Sequence, residues 1–221
     1  MEYKRDVVLF DLDGTVLDTH FAILDSLRYA TRTVLGAALP DDVLVAKVGQ
    51  PLVIQMHTFA PDPAVAEELL AVYRAYNEKD LNSHIAPFPG IPETLRALRD
   101  EGFTVGVVTS KRQGLAEESL IHFGLRDLLA CVNGCESSAG HKPDPDPLIQ
   151  AAADLGVALD RCLYVGDSPY DLQAARAAGI PAIGVTWGKF FPRERLEPEC
   201  PSRLIDCVED LLPSIRAIAC A

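Results

Sequence analysis

The sequence predicts an α/β fold: a parallel sheet covered by helices, interrupted once by a helical insertion. Three observations predict it. Short apolar runs rich in β-forming residues alternate with helical patterns along most of the chain. A glycine stands just past each of four helical patterns, where a left-handed terminal turn costs it no Cβ clash. The stretch from about His20 to Ile85 breaks the alternation and carries helical patterns without a convincing strand. With 221 residues, the chain has room for one domain or for a core with a modest insertion.

Val7–Phe10 is the first apolar run and fits a strand buried on both faces. In the insertion, Phe21, Leu24, Leu27 and Val34 recur near helical spacing, and Val65, Leu69, Val72 and Tyr76 do so again. Pro40, Pro51, Pro61 and Pro63 punctuate it. Ala86-Pro87-Phe88-Pro89-Gly90 is a stiff connector of hinge type. The boundaries this implies are a core from 1–18 and 87–221 and an insertion from 19–86. After the connector come a helix at Pro92–Glu101 before Gly102, a strand at Thr104–Thr109, and a helix at Gln113–Phe123 before Gly124. A strand at Ala130–Asn133 and a helix at Pro147–Leu155 before Gly156 follow. Next are a strand at Cys162–Val165, a helix at Tyr170–Ala178 before Gly179, and a strand at Ala182–Val185. Past Trp187 the pattern weakens; Ser202–Ile205 reads as an edge strand and Val208–Ile218 as a final helix. Right-handed βαβ units of this kind build a parallel sheet.

Composition excludes several classes. Hydrophobic residues are 48% and charged residues 24%, which leaves no room for a disordered, collagen-like or coiled-coil reading. The net charge of −12 repels nucleic acid and anionic membranes, so neither is an expected partner. An anionic ligand would need a metal and local cations to reverse the sign of the field. The six cysteines include no C-x-x-C pair and no histidine at zinc spacing. The run before Asp11 is too short for a signal-peptide core, and no stretch is long enough to span a bilayer. A cytoplasmic protein with reduced, structural thiols is therefore expected.

Four segments carry chemistry. The first strand ends in Asp11-Leu12-Asp13-Gly14-Thr15-Val16-Leu17-Asp18. On an extended strand end, residues i and i+2 share a face, which brings Asp11 and Asp13 toward one site. Two carboxylates ~4 Å apart at an effective dielectric of about 20 repel by roughly 4 kcal/mol. A divalent cation removes that cost. Taken singly, Asp-Gly is also a common turn pair. The second segment, Thr109-Ser110-Lys111, places hydroxyls beside the N–H groups of a strand-to-helix turn, a phosphate cradle. Either hydroxyl would equally serve as a helix N-cap. In the third, His141-Lys142-Pro143-Asp144-Pro145-Asp146-Pro147, the proline restricts the backbone at Lys142 and makes a fixed cation of it. His141 reads as a polar loop residue. The fourth, Gly166-Asp167-Ser168-Pro169-Tyr170-Asp171, sets two more carboxylates at a strand end, where sheets of this kind bind ligands. Helix capping is the plain alternative for both.

Together these segments resemble the haloacid dehalogenase (HAD) superfamily of phosphohydrolases, in order and over nearly the whole chain. The insertion looks like the C1-type helical cap of that superfamily. The resemblance implies a Rossmann-like three-layer core with strand order 5-4-1-2-3. It implies that Asp11 is a nucleophile forming an aspartyl phosphate, and that Asp13 protonates the leaving group and then deprotonates water. Mg2+ would be held by Asp11, the main-chain carbonyl of Asp13 and Asp167, with Asp171 ligating it or supporting a ligand. Thr109, Ser110 and Lys142 would bind the phosphoryl oxygens, where charge develops in the transition state. Gly49 and Gln50 in the insertion would meet the leaving group and set specificity, although Gly49 could equally end the preceding helix.

The retained Asp13 speaks against carbon–halogen and carbon–phosphorus cleavage in such enzymes, and Thr15 departs from β-phosphoglucomutases. The Val48–Leu52 loop and the Lys142–Leu148 run look most like phosphoglycolate phosphatases. Ser110, where many of those carry asparagine, is a departure, and Val185-Thr186-Trp187 resembles the bacterial pyrophosphatase branch. The resemblance thus implies a Mg2+-dependent phosphatase acting on a small phosphorylated metabolite, with 2-phosphoglycolate first. A pyrophosphatase, a β-phosphoglucomutase-like enzyme or a non-catalytic phospholigand-binding protein are the alternatives.

Overall fold

The computed structural model describes residues 3–79 and 82–221. The chain opens with β1 (Val7–Phe10) and the two-residue β2 (Leu17–Asp18). Four helices follow: α1 (His20–Leu35), α2 (Asp41–Val45), α3 (Leu52–Phe59) and α4 (Pro63–Asn77). The short β3 (Ala86–Pro87) leads back to α5 (Ile91–Asp100), β4 (Thr104–Val108), α6 (Gln113–His122) and β5 (Cys131–Asn133). Then come α7 (Asp146–Asp154), β6 (Cys162–Gly166), α8 (Pro169–Ala178) and β7 (Ala182–Val185). The one-turn α9 (Arg193–Leu196), β8 (Arg203–Ile205) and α10 (Leu211–Ala219) complete it.

The main sheet runs β5-β4-β1-β6-β7-β8, and every neighbouring pair in it is parallel. Its first five strands reproduce the expected order, and β8 is the edge strand read at Ser202–Ile205. The alternation of side chains across the sheet sorts the core into two layers. Val8 and Phe10 of β1 pack with Leu95 of α5, Leu120 of α6 and Ile215 of α10. Val7 and Leu9 pack on the other face with Ala151 of α7, Leu172 of α8, and Leu27 and Leu69 of the insertion. All four β1 side chains are fully buried, as an uninterrupted apolar run in a central parallel strand requires.

Three differences from the sequence reading stand out. β2 and β3 form an antiparallel pair, Leu17 opposite Pro87 and Asp18 opposite Ala86. Two-residue strands carry no periodicity, so nothing in the sequence announced them. The final helix begins at Leu211, because Val208–Asp210 forms a separate 3-10 turn. α9 lies in the stretch where the pattern had faded. Among the described residues no helix is long and apolar enough to cross a membrane. No disulfide joins any two of the six cysteines.

Candidate active site

Parallel register brings the chemistry to one edge of the sheet. Phe10 pairs with Val165, so Asp11 and Asp167 leave the carboxyl ends of adjacent strands. The Asp11 N–H still donates to the Val165 carbonyl at 2.8 Å, which fixes the start of the loop. Asp171 enters from the first turn of α8, where its carboxylate and the Ser168 hydroxyl form a reciprocal capping box. Carboxylate oxygens of Asp11, Asp167 and Asp171 all lie within 4.8 Å of one another, and all three residues are buried.

Lys142 is 2% exposed and inserts its ammonium among them. Its Nζ donates to Asp11 Oδ1 at 2.8 Å and to Asp171 Oδ1 at 2.7 Å. The same Nζ lies 5.2 Å from the centre of the Tyr164 ring. The Tyr164 hydroxyl stands 3.1 Å from Asp171 Oδ1, and Asp171 Oδ2 accepts from Ser168 N–H and Oγ at 3.0 and 2.6 Å. Both oxygens of Asp171 are therefore engaged. It anchors Lys142 and caps α8, while Asp11 and Asp167 keep more open acceptor capacity.

Three buried carboxylates face one ammonium, and the imbalance shows in their proton affinities. Burial pushes Asp11 up to about 7; Lys142 opposes the rise and the Asp171 charge adds to it. Burial, with the charges of Asp11 and Asp171, holds Asp167 well above the usual carboxylate range. Burial works against the Lys142 ammonium, but Asp11 and Asp171 outweigh it and raise the group above its ordinary value. A second positive charge would relieve this excess. The donors are hard oxygens, the set that Mg2+ takes. The backbone is also built around one of them: a Cβ at Gly14 or Gly188 would come within 2.2 Å of Asp167 Oδ2. The residues present fit the ion.

Asp13 lines the same cavity as Asp11 but has a different partner. Lys111 Nζ donates to its two oxygens at 2.9 and 3.3 Å. Thr109 is buried, and its Oγ1 accepts from the Lys111 N–H at 3.1 Å, which leaves the hydroxyl proton to give. The residue at the N-cap of α6 is Arg112, so neither Thr109 nor Ser110 caps that helix. The Ser110 hydroxyl donates to the Gly49 carbonyl at 2.6 Å and so ties the core to the insertion.

Gly49 does not end α2, whose C-cap is Ala46. It sits at φ +96°, and a Cβ there would stand 2.6 Å from Ser168 Oγ. Tyr170 adds a second tie, donating its hydroxyl to the Ala46 carbonyl at 2.9 Å. Between insertion and core lies a cavity of about 140 Å³ bounded by Asp11, Asp13, Thr109 and Asp167 below and by Gly49 and Gln50 above. Lys142 is not part of that lining.

Sequence reasoning missed several residues of this wall. Gln55 on α3, and Tyr73, Arg74 and Glu78 at the end of α4, all line it, as do Lys111 and Arg112. Gln55 Nε2 donates to the Gln50 carbonyl at 2.8 Å, and Arg112 pairs with Glu78 at 2.5 Å. Within the sequence Gln55, Tyr73 and Arg74 are ordinary helix members that no local motif marks, and Lys111 falls in the Thr109-Ser110-Lys111 segment without a role assigned to it.

The chain matches the family described as haloacid dehalogenase-like hydrolase over residues 8–185. A protein of Caldanaerobacter subterraneus subsp. tengcongensis named "Putative pyrophosphatase PpaX" is 37% identical over 213 residues, 96% of each chain. Pyrophosphatase PpaX of Listeria monocytogenes serotype 4a is 31% identical over 219 residues, 98% of this chain and 99% of that one. Among solved structures, a "predicted phosphatase from Clostridium acetobutylicum" superimposes with a TM-score of 0.84 at 29% identity, covering 97% of this chain and 99% of that one. A "predicted phosphoglycolate phosphatase" from Haemophilus somnus 129PT shares the fold, with a TM-score of 0.87 at 23% identity over 97% and 99% of the two chains.

Proposed function

The chain belongs to the haloacid dehalogenase-like hydrolase family, and on that premise we propose that it is a Mg2+-dependent phosphohydrolase acting through Asp11. One observation carries the reading above the others. A buried aspartate, raised by desolvation and gripped by a buried lysine, opens into a small cavity beside two further carboxylates. That is the arrangement of a nucleophile awaiting an electrophilic phosphorus.

In this reading a carboxylate oxygen of Asp11 forms a bond to phosphorus. The bond from phosphorus to the leaving oxygen breaks, and its electron pair departs on that oxygen. Asp13 gives it a proton where its basicity requires one. Water then attacks the aspartyl phosphate and gives its proton to Asp13, and the Asp11–phosphorus bond breaks to release phosphate and restore Asp11. Lys142 fixes the orientation of Asp11, and Thr109 has a hydroxyl proton to offer the phosphoryl group. Asp11, Asp167 and the Asp13 carbonyl would hold Mg2+, with Asp171 behind, and the ion would supply the positive charge that lets a carboxylate approach a phosphate dianion. The insertion over 19–86 acts as a cap that excludes water, held by the Ser110–Gly49 and Tyr170–Ala46 hydrogen bonds.

For substrate we place inorganic pyrophosphate first. The relatives at 37% and 31% identity carry that name, and Ser110 and Val185-Thr186-Trp187 agree with it. This reverses the order read from the sequence. 2-Phosphoglycolate stays as the second reading, supported by the Val48–Leu52 loop and the Lys142–Leu148 run. Phosphate release from the two compounds, with Mg2+ and with EDTA, decides between them. Asp11→Asn is expected to abolish release from either while leaving the circular dichroism spectrum unchanged. Steady-state turnover by that variant would overturn the reading.

A further inference from the structure

Three cationic side chains line the cavity, and two of them are already spent. Lys111 holds Asp13 and Arg112 holds Glu78. The third, Arg74, is half-buried near the end of α4. Among the described residues it has no ion pair and no side-chain hydrogen bond. A guanidinium carries five donors and is seldom left idle at a cavity wall. The same wall has other unspent polar groups. Thr19 and Gln55, both more than nine-tenths buried, each leave an oxygen without a hydrogen-bond partner, as does the Gln50 amide. Buried polar atoms of this kind await water or a ligand.

The placement says which end of a substrate meets them. Asp11, Thr109 and Asp167 lie at the strand ends, on the side where phosphorus is attacked. Arg74, Gln50 and Gln55 belong to the insertion, so they face the part of the substrate that departs. In a chain of net charge −12, an anionic fragment enters this cavity only where a local cation receives it.

We propose that Arg74 binds a second anionic group carried by the leaving fragment, so that the site selects small phosphoryl compounds whose leaving group is itself an anion. This rests on the phosphohydrolase reading and narrows it. The second anion is either a phosphate, as in pyrophosphate, or a carboxylate, as in 2-phosphoglycolate. Ethyl phosphate, of similar size, lacks it.

Two measurements test the assignment. The first is turnover of pyrophosphate, 2-phosphoglycolate and ethyl phosphate by the wild type, Arg74→Gln and Arg74→Lys. Arg74→Gln is expected to raise KM at least tenfold for whichever bis-anion is the substrate. It should leave kcat/KM for ethyl phosphate within about twofold, and Arg74→Lys should recover part of the loss. An equal loss on all three compounds would mean a structural role and would overturn the proposal. The second is calorimetric binding of methylenebisphosphonate, which cannot be hydrolysed, against methylphosphonate. Arg74→Gln should weaken the first at least tenfold and the second little. If it binds methylenebisphosphonate as tightly as the wild type, the assignment of Arg74 is wrong whatever the turnover shows. If the wild type hydrolyses nothing yet binds that compound through Arg74, the phosphohydrolase reading fails and the anion site stands.

Discussion

Lys142 shows how one side chain can hold a site together. Among the described residues it is the one ammonium between Asp11 and Asp171, and all three groups are out of water. Lys142→Met would leave two buried carboxylates facing each other, and breaking a buried pair in this way costs roughly 3–5 kcal/mol. The expected outcome is a loss of turnover of at least a hundredfold, with a large fall in Tm at pH 7.5 that shrinks at pH 5. Gly49 is the second sensitive position. At φ +96° an alanine costs roughly 1–2 kcal/mol in backbone strain, and its Cβ meets Ser168. Gly49→Ala should therefore raise KM with only a small fall in Tm, because the strain falls where the insertion meets Ser168 rather than in the core. At this scale the sequence was most legible where a residue's role depends on a strand end. Asp11, Thr109 and Asp167 leave the carboxyl ends of β1, β4 and β6, and Lys142 reaches Asp11 and Asp171 from the loop after β5. Arg74 and Gln55 were invisible because their role depends on which way a helix is turned over a distant loop.

The helix α8 joins stability to chemistry. Its capping box uses the same Asp171 that anchors Lys142, so the helix start and the lysine share one carboxylate. Ser168→Ala removes a cap worth roughly 1 kcal/mol and leaves Asp171 Oδ2 with the backbone N–H as its one donor from residue 168. Thermal melts should show a drop of a few degrees, together with a lower kcat; a lower Tm with unchanged kcat would separate the two roles. The regular elements were readable because each βαβ unit carries its own punctuation. Gly102, Gly124, Gly156 and Gly179 all take positive φ just past their helices. What stayed hidden is set by tertiary pairing. β2 and β3 are strands only because the chain leaves and re-enters the core side by side, and the turn at Val208–Asp210 breaks a helix that periodicity alone would have continued.

Across the whole molecule, the buried carboxylates couple folding to pH and to metal. Asp11 titrates at about 7 in the fold, and Asp167 is raised as well. In the unfolded chain both lose their protons near 4. Between its folded and unfolded values each group binds more protons in the native state, so stability from it is full below about 4 and is lost as pH rises through the raised value, about 7 for Asp11. On the proposed reading Mg2+ would bind the ionised site and not the unfolded chain, and so would restore stability by mass action. Calorimetry should therefore show a Mg2+-induced rise in Tm that is larger at pH 7.5 than at pH 5; a rise independent of pH would show that the ion binds elsewhere. The antiparallel pairing of Leu17–Asp18 with Ala86–Pro87 has a further consequence at this scale. Both passages of the chain between core and insertion cross at one place, clipped together like the two ends of a removable cassette. On the proposed reading, exchanging everything between Asp18 and Ala86 would change what the cavity admits while Asp11, Asp167 and Lys142 stay on the core.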